Sequence, residues 1–321
     1  MIKKAIALLS ALVLIICCFA GCSDTKKTDD GKISIVCTLF PMYDWARNII
    51  GENNDDVELT LLLDSGTDLH SYQPNAADII KITSADLFIY VGGTSDKWVD
   101  DVFKTSPSDT VKINLMEVLG EGVFDEETVE GMEAEEEEET DEKEYDEHVW
   151  LSLKNADKFC TYIKDALIKL DPAHQKDYEA NCGNYRQDLA VLSGDYTEAV
   201  NKAKRKTILF ADRFPFRYLV EDLGLDYYAA FAGCSTETSA SFETIIFLAN
   251  VVDNMKLPTI LVTETSDRSV AKTVKDTTES KDAEILVMDA LQSVTSEAVK
   301  NGTTYLGSMR NNLEILKKAL A

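Results

Sequence analysis

The chain has 321 residues, of which 57 are acidic and 32 are basic, so its formal net charge at pH 7 is −25. This charge disfavours nucleic acid and anionic lipid surfaces as partners, because both are polyanions, and it is compatible with a cationic ligand. Hydrophobic residues make up 45% of the chain, which is typical of a globular protein and excludes a wholly disordered one.

The first residues predict an exported, lipid-anchored protein. Lys3 and Lys4 precede an apolar run, which is the layout of a secretory signal. The run is shorter than the about 20 apolar residues that a permanent transmembrane helix needs. The sequence Phe19–Cys22 resembles a bacterial lipobox, although an ordinary signal peptide with an incidental cysteine is the alternative. We expect a signal peptide over residues 1–22, lipid attachment at Cys22, and a flexible tether over 23–32 on the outer side of the cell membrane.

Strands and helices alternate in the first third of the chain. The predicted elements are strands at 32–40, 57–63 and 87–91 and helices at 42–50 and 76–83. Pro41 predicts a break between the first strand and the helix that follows it. Such alternation favours a parallel sheet with helices on its faces, so we expect an N-terminal α/β lobe over residues 33–155.

An acidic segment interrupts this lobe. Between Glu121 and Glu147 there are 16 acidic residues and one lysine, and Glu135–Glu139 are five consecutive glutamates. Because like charges at this density repel and stay solvated, we expect residues 121–145 to form a mobile loop outside either core. The loop could raise the local concentration of cations, or it could be a linker without a role in binding.

The second half of the chain predicts two helices and then a second α/β lobe. Residues 155–170 and 172–205 have helical patterns, and the second run is long enough to act as a rigid strut. Further predicted elements are strands at 206–210, 226–231, 259–263 and 284–288 and helices at 215–223, 241–255, 269–278 and 304–320. We therefore expect a helical segment over 156–205 and a C-terminal lobe over 206–321. The fold class is α/β, with two mostly parallel sheets flanked by helices and connected by one long helix.

Two of the three histidines lie where ligand groups are common. His70 follows a predicted strand in a loop rich in Gly and Pro, and His148 lies where the acidic segment rejoins the fold. His174 begins the strut helix, where we expect it to be exposed and without a role. Neutral imidazole is the commonest metal ligand, although structural roles for two loop histidines are also compatible with the sequence. Asp289 follows the last predicted strand, as a ligand or as a turn residue.

Several segments, in order over nearly the full length, resemble the metal-binding receptors of zinc and manganese ABC importers, whose two lobes are joined by one rigid helix. They are Gly66-x-Asp68-x-His70-x-Tyr72-x-Pro74, Asp146–Leu151, Asp171-Pro172, Tyr218-Leu219 with Gly224-Leu225, and Asp289. The resemblance implies that His70 and His148 are ligands from the first lobe and Asp289 is a ligand from the second. It also implies Zn(II) as the bound ion, with Mn(II) possible, and an ABC permease as the partner. We expect a monomer, in which the long helix limits closure to a small tilt or a loop rearrangement.

The chain departs from this family at one expected ligand. An ungapped match places Arg213 where the family has a third histidine, or a glutamate in manganese-type members, and a guanidinium group cannot coordinate a metal. Asp212 is the first substitute that we expect, with water or Glu237 as alternatives, and Arg213 is expected to pair with a carboxylate of the cleft. A site with two histidines prefers zinc over manganese less strongly than a site with three.

Two other functions use similar features. A metalloenzyme could hold zinc with two histidines and an aspartate, but the sequence contains no HExxH, no nucleophile elbow and no convincing Ser–His or Cys–His arrangement. We therefore expect no catalysis. A surface protein with a role in cell adhesion would use the same lipid tether, although ligand residues in both lobes favour binding of an ion.

The cysteines do not indicate a disulfide framework or a metal site. Those that follow the predicted signal are Cys37, Cys160, Cys182 and Cys234, and their spacing matches neither a disulfide scaffold nor a metal knuckle. A pairing of Cys160 with Cys182 stays open.

Overall fold

The computed structural model describes residues 31–52, 54–133, 144–235 and 239–321. The predicted signal peptide with Cys22, the tether as far as residue 30, Glu135–Glu139 and Glu237 lie outside the described residues. Within the described part of the chain, no helix combines the length and the apolar character that spanning a membrane requires.

Eight strands in the described ranges form two four-stranded sheets. They are β1 Ile33–Cys37, β2 Val57–Leu61, β3 Leu87–Tyr90, β4 Val111–Asn114, β5 Thr207–Arg213, β6 Asp226–Phe231, β7 Thr259–Thr263 and β8 Glu284–Met288. The strand orders are β2-β1-β3-β4 in the first lobe and β6-β5-β7-β8 in the second, and all pairings are parallel. Because parallel strands need long crossover connections, each lobe alternates strands with helices, and the predicted fold class is confirmed.

The helices of the described residues cover and connect the two sheets. They are α1 Phe40–Ile50, α2 Ala76–Ser84, α3 Trp98–Thr105, α4 Leu115–Leu119, α5 Leu153–Leu170, α6 Gln175–Lys202, α7 Arg217–Leu223, α8 Phe242–Met255, α9 Ser269–Thr277, α10 Ser296–Lys300 and α11 Tyr305–Ala319. Short 3-10 turns lie at Leu69–Ser71, Gly120–Gly122, Val149–Leu151 and Pro172–His174.

Helix α1 begins before the break that Pro41 predicts. The helix starts at Phe40, and Pro41 lies in its first turn. A proline is tolerated there because the first amide groups of a helix have no acceptor within it, and the ring already holds a helical φ. Pro41 therefore supports the start of the helix instead of separating it from the strand.

Helix α6 contacts both lobes, as its predicted role as a strut requires. Near its N-terminal end, Asn181 Nδ2 donates a hydrogen bond to the carbonyl oxygen of Ile49 in the first lobe (3.1 Å). Near its C-terminal end, Tyr196 OH donates to the carbonyl oxygen of Met309 in α11 of the second lobe (2.7 Å). One rigid element thus holds both lobes.

The two lobes also share apolar packing. A continuous cluster of buried side chains extends from the first sheet through α5 and α6 to one face of the second sheet, and includes Ile35, Leu87, Leu167, Leu192, Phe210 and Leu313. A smaller cluster fills the opposite face of the second sheet, beneath α8 and α9, and includes Leu248, Ile260 and Val274. A wide hinge movement would separate close-packed apolar surface in the first cluster, which is unfavourable.

The described flanks of the acidic segment pack against the fold. The ring of Phe124 lies 4.9 Å from the ring of Tyr218, and the backbone N–H of Glu133 donates to the carbonyl oxygen of Ala230 (2.9 Å). Val123, Phe124 and Met132 are partly buried against the core. The flanks therefore differ from the expected loop outside either core, because apolar residues between the acidic ones anchor them.

All four described cysteines are free thiols. Cys182 Sγ donates a weak hydrogen bond to the carbonyl oxygen of Cys160 (3.5 Å), so the disulfide that the sequence left open is not formed.

Asp44 joins three parts of the fold from a fully buried position in α1. Its carboxylate accepts a hydrogen bond from the backbone N–H of Tyr305 in α11 (2.9 Å) and one from Tyr185 OH in α6 (3.5 Å). The guanidinium of Arg47, one turn away, forms an ion pair with the same carboxylate. Asp44 thereby links the first lobe to the strut and to the second lobe.

We expect Asp44→Ala to lower the free energy of unfolding by about 3 kcal/mol, because it leaves a buried N–H group without an acceptor and a cation without its partner. Asp157→Ala is the matched control, since the Asp157–Arg186 pair is 37% and 44% exposed and such pairs contribute about 1 kcal/mol or less. Urea unfolding of both variants measures the difference. Equal losses would show that Asp44 is no more important than a surface ion pair.

Candidate metal centre

His70 lies on the 3-10 turn that follows β2. Asp68 caps this turn, since its Oδ1 accepts a hydrogen bond from the backbone N–H of His70 (3.0 Å). The ring nitrogen Nδ1 of His70 is 2.9 Å from Ser95 Oγ and 3.5 Å from Glu147 Oε2. These partners orient the ring so that Nε2 faces His148.

The segment Asp146–Leu151 positions His148. Asp146 Oδ1 accepts a hydrogen bond from the backbone N–H of His148 (2.8 Å) and lies 3.0 Å from its Nδ1. Tyr218 OH in α7 donates to the carbonyl oxygen of Asp146 (2.8 Å). The imidazole of His148 is fully buried. A carboxylate on Nδ1 fixes the ring and leaves Nε2 free to bind a ligand.

The two imidazoles converge. Their Nε2 atoms are 3.3 Å apart, and their ring centroids are 5.2 Å apart. Zinc–nitrogen bonds of about 2.0–2.1 Å in a tetrahedral shell place two nitrogen ligands about 3.3 Å from each other. The spacing of the two Nε2 atoms therefore equals the distance expected between two nitrogen ligands of one zinc ion.

Both rings are neutral near pH 7. Burial, followed by the charge of the neighbouring His148, lowers the pKa of His70 to about 3. Burial likewise lowers the pKa of His148 to about 4. Since the neutral imidazole is the form that binds metals, both rings are ready for an ion at neutral pH.

A third possible ligand comes from the second lobe. Among the described residues, His70, His148 and Cys234 form a group whose ligand atoms all lie within 4.8 Å of one another. Cys234 is partly buried in the turn after β6, and burial raises the pKa of its thiol. The sequence prediction did not include Cys234, although its place after the carboxyl end of a parallel strand was a usable signal.

Gly233 allows this turn to approach His148. A Cβ atom at position 233 would lie 3.2 Å from His148 Cε1 and 2.8 Å from the carbonyl oxygen of Phe214. The backbone N–H of Cys234 donates to Glu126 Oε1 (3.3 Å) in the flank of the acidic segment. The turn is thus held between His148 and that flank.

Asp212 lies outside the group of three. Its Oδ2 accepts hydrogen bonds from the backbone N–H of Thr263 (2.8 Å) and from Thr263 Oγ1 (2.7 Å). Its Oδ1 accepts one from the backbone N–H of Arg213 (2.9 Å). Coordination by Asp212 would have to compete with these bonds, and its assignment as a ligand stays a prediction.

Asp289 also lies outside this group. Its Oδ1 accepts a hydrogen bond from the backbone N–H of Leu291 (2.8 Å), and the side chain of Asn312 binds its backbone N–H and carbonyl (both 2.8 Å). Burial, together with the charge of Asp289, raises the pKa of nearby Glu264 to about 6. Two carboxyl groups thus lie close together after β7 and β8, and the role of Asp289 as a ligand stays a prediction.

Arg213 pairs with a carboxylate of the cleft, as the sequence predicted. Its NH2 lies 2.8 Å from Asp68 Oδ2, which joins the second lobe to the turn that carries His70. Burial is the largest single effect on the pKa of Asp68 and raises it, but the charge and hydrogen bond of Arg213, together with the interactions of His70, outweigh burial and lower that pKa. Arg213 is therefore a bridge between the lobes at the position where a ligand was expected.

The chain is similar to known zinc-binding proteins over most of its length. The sequence profile of the family described as "Zinc-uptake complex component A periplasmic" matches residues 35–319. The zinc-binding lipoprotein AdcA of Streptococcus pneumoniae serotype 4 is 31% identical over 323 residues, which cover 98% of this chain and 61% of AdcA. The chain thus spans about three fifths of the length of that relative.

Two further relatives are matched over almost their full length. The high-affinity zinc uptake system protein ZnuA of Bacillus subtilis is 29% identical over 325 residues, 97% of both chains. The crystal structure of the Zn(II)-bound ZnuA-like domain of Streptococcus pneumoniae AdcA superimposes with a TM-score of 0.70 at 29% identity, over 90% of this chain and 99% of that domain.

Asp96 is a buried carboxyl group next to this site. It is 3% exposed, its Oδ2 accepts hydrogen bonds from the backbone N–H groups of Val91 (2.9 Å) and Gly92 (3.0 Å), and its Oδ1 has no hydrogen-bond partner. Burial, with a smaller contribution from the charge of Glu147, raises its pKa to about 7. The stabilising contribution of a carboxyl group with a raised pKa is complete below its unfolded pKa of about 4 and is lost as the pH rises through about 7.

Asp96→Asn stays neutral at every pH. We therefore expect its free energy of unfolding, relative to that of the wild type, to rise by roughly 1–3 kcal/mol as the pH increases from 5 to 8. Urea unfolding of the metal-free proteins at several pH values measures this gain. Asp101→Asn, at an exposed position of α3, controls for the loss of one negative charge. A constant difference between Asp96→Asn and the wild type across this range would contradict the raised pKa.

Proposed function

This chain belongs to the family of periplasmic zinc-uptake components, and from that premise we propose that it captures Zn(II) between its two lobes and delivers it to an ABC permease. The main support is the pair of neutral, buried imidazoles of His70 and His148, whose Nε2 atoms lie 3.3 Å apart. We further propose that the protein acts as a monomer outside the cytoplasm, and that a lipid on Cys22 holds it at the cell membrane.

The donor atoms favour zinc over manganese. Imidazole nitrogen suits Zn(II), whereas Mn(II) prefers carboxylate, carbonyl and water oxygens. Asp289 is the predicted oxygen ligand from the second lobe, and Asp212 is a weaker candidate because its oxygens already accept three hydrogen bonds. A manganese receptor of the same type is the alternative, and an ion titration separates the two.

The cleft closes by a small movement in this proposal. The Arg213–Asp68 ion pair and the hydrogen bond from the backbone N–H of Ser296 to the carbonyl oxygen of Asp64 (2.8 Å) already join the lobes. The shared apolar cluster opposes a wide rotation. We propose that binding shifts side chains and loops around the ion, and that no catalytic step takes part.

We expect calorimetric titration of the metal-free protein to show one tight zinc site that is lost in the double variant His70→Ala, His148→Ala. The protein used begins at residue 24, because all described helices and strands lie within Ile33–Ala321, which forms one compact unit. Manganese is expected to bind more weakly than zinc in the same titration, since two of its ligands would be nitrogen atoms.

The zinc binding that remains in the double variant distinguishes a site between the lobes from binding in the acidic segment. Weak, multiple zinc binding that persists without the two histidines would place the ions in the acidic segment and would refute the site between the lobes. Tighter binding of manganese than of zinc would favour the manganese receptor.

We also expect Asp146→Ala to weaken zinc binding about 10–100-fold, because the ring of His148 loses the carboxylate that orients it. Asp188→Ala, on the exposed face of α6, removes the same charge far from the site and should leave the affinity unchanged. The same calorimetric titration measures both variants. An unchanged affinity in Asp146→Ala would show that packing alone positions His148.

A further inference from the structure

Cys234 lies beside the two histidines, in a site that lacks one expected ligand. The expected third histidine is replaced by Arg213, whose guanidinium is bound to Asp68 at 2.8 Å and offers no lone pair. From the same lobe, the turn after β6 brings the Sγ atom of Cys234 within 4.8 Å of the ligand nitrogens of His70 and His148. This contact joins the two lobes.

We propose that Cys234 is a ligand of the bound ion, so that its thiolate completes a His70–His148–Cys234 set that selects zinc and similar thiophilic divalent ions. This inference rests on the proposed function and specifies the chemistry of the same site. A fourth position remains for a carboxylate oxygen or water, as in other four-coordinate zinc sites.

The distances allow this set with a small movement. A zinc–sulfur bond of about 2.3 Å and zinc–nitrogen bonds of about 2.0–2.1 Å place sulfur and nitrogen ligands about 3.6 Å apart in a tetrahedron. The Sγ atom of Cys234 therefore has to approach the two nitrogens by at most about 1.2 Å from the 4.8 Å limit. Rotation of a cysteine side chain, or a slight shift of its turn, supplies this movement.

The other cysteines do not compete for this role. Cys37 and Cys160 are fully buried and Cys182 is 2% exposed, and none of the three belongs to the described group of possible ligands. In the proposed step, Zn(II) binds Cys234 Sγ as its proton leaves to the solvent, and no electron is transferred. His70 and His148 contribute lone pairs without losing a proton.

A thiolate changes the selectivity of the site. Sulfur ligands favour Zn(II) and disfavour Mn(II), which prefers oxygen. Two histidines and an aspartate alone would discriminate weakly between these ions. With Cys234 bound, the preference for zinc is strong even though the third histidine is absent.

Cobalt tests the sulfur ligand directly, because Co(II) bound to thiolate shows an intense charge-transfer absorption in the near ultraviolet. We load the 24–321 protein with one equivalent of Co(II) under argon and record the spectrum of the wild type, Cys234→Ser and Cys182→Ser. The last variant is the matched control, since a serine hydroxyl can also donate to the carbonyl oxygen of Cys160. We expect the absorption in the wild type and in Cys182→Ser, and its loss in Cys234→Ser.

Zinc and manganese titrations of the same three proteins give a second readout. Cys234→Ser is expected to weaken zinc binding by at least the roughly 10–100-fold that loss of an outer-sphere partner costs, with little change for manganese. A cobalt complex of the wild type without sulfur absorption would overturn the inference, even if Cys234→Ser failed to fold. If zinc affinity also fell in the double histidine variant but not in Cys234→Ser, the receptor would stand and the cysteine ligand would be refuted.

Discussion

Trp150 is hydrogen-bonded to the second lobe at both its side chain and its backbone. Its Nε1 donates to the carbonyl oxygen of Ala290 (2.8 Å), and its own carbonyl oxygen accepts from Tyr305 OH (2.7 Å). His148 lies two residues earlier, with its ring centroid 5.2 Å from that of Trp150. His148, a proposed ligand from the first lobe, is therefore held in a fixed position relative to the second lobe. This preorganisation lowers the cost of ordering the site on binding.

Much of the fold follows from the sequence because most of its strands are buried and most of its helices are amphipathic. The strands over 259–263 and the helix over 304–320 were placed within a residue or two of β7 and α11. Helix α3 and strand β4 were missed. Strand β4 has only four residues, of which only Ile113 is buried, so its alternation of apolar and polar residues is too short to stand out. Helix α3 has only two turns in which a pattern could appear.

The site was predictable to the extent that local sequence carries it. His70 and His148 lie in segments with their own turn and capping residues, and the structure brings them together. Cys234 was not predicted. Its place after a parallel strand marks it as a candidate, but its proximity to the histidines depends on how the two lobes meet, which no spacing in the chain records. Asp212 was a reasonable substitute by position, but its hydrogen bonds to Thr263 became visible only once β5 and β7 were placed side by side.

The shared apolar cluster makes each lobe depend on the other to cover its buried side chains. The two sheets look like separable units, and the chain passes from one to the other once, between Lys202 and Thr207. Yet buried side chains such as Leu192 in α6 and Leu313 in α11 belong to one cluster with those of the first sheet. A gene fragment that encoded either half would translate into a polypeptide with a large uncovered apolar face, prone to aggregate. Recombination between relatives of this chain should therefore exchange loops and surface helices more readily than whole lobes.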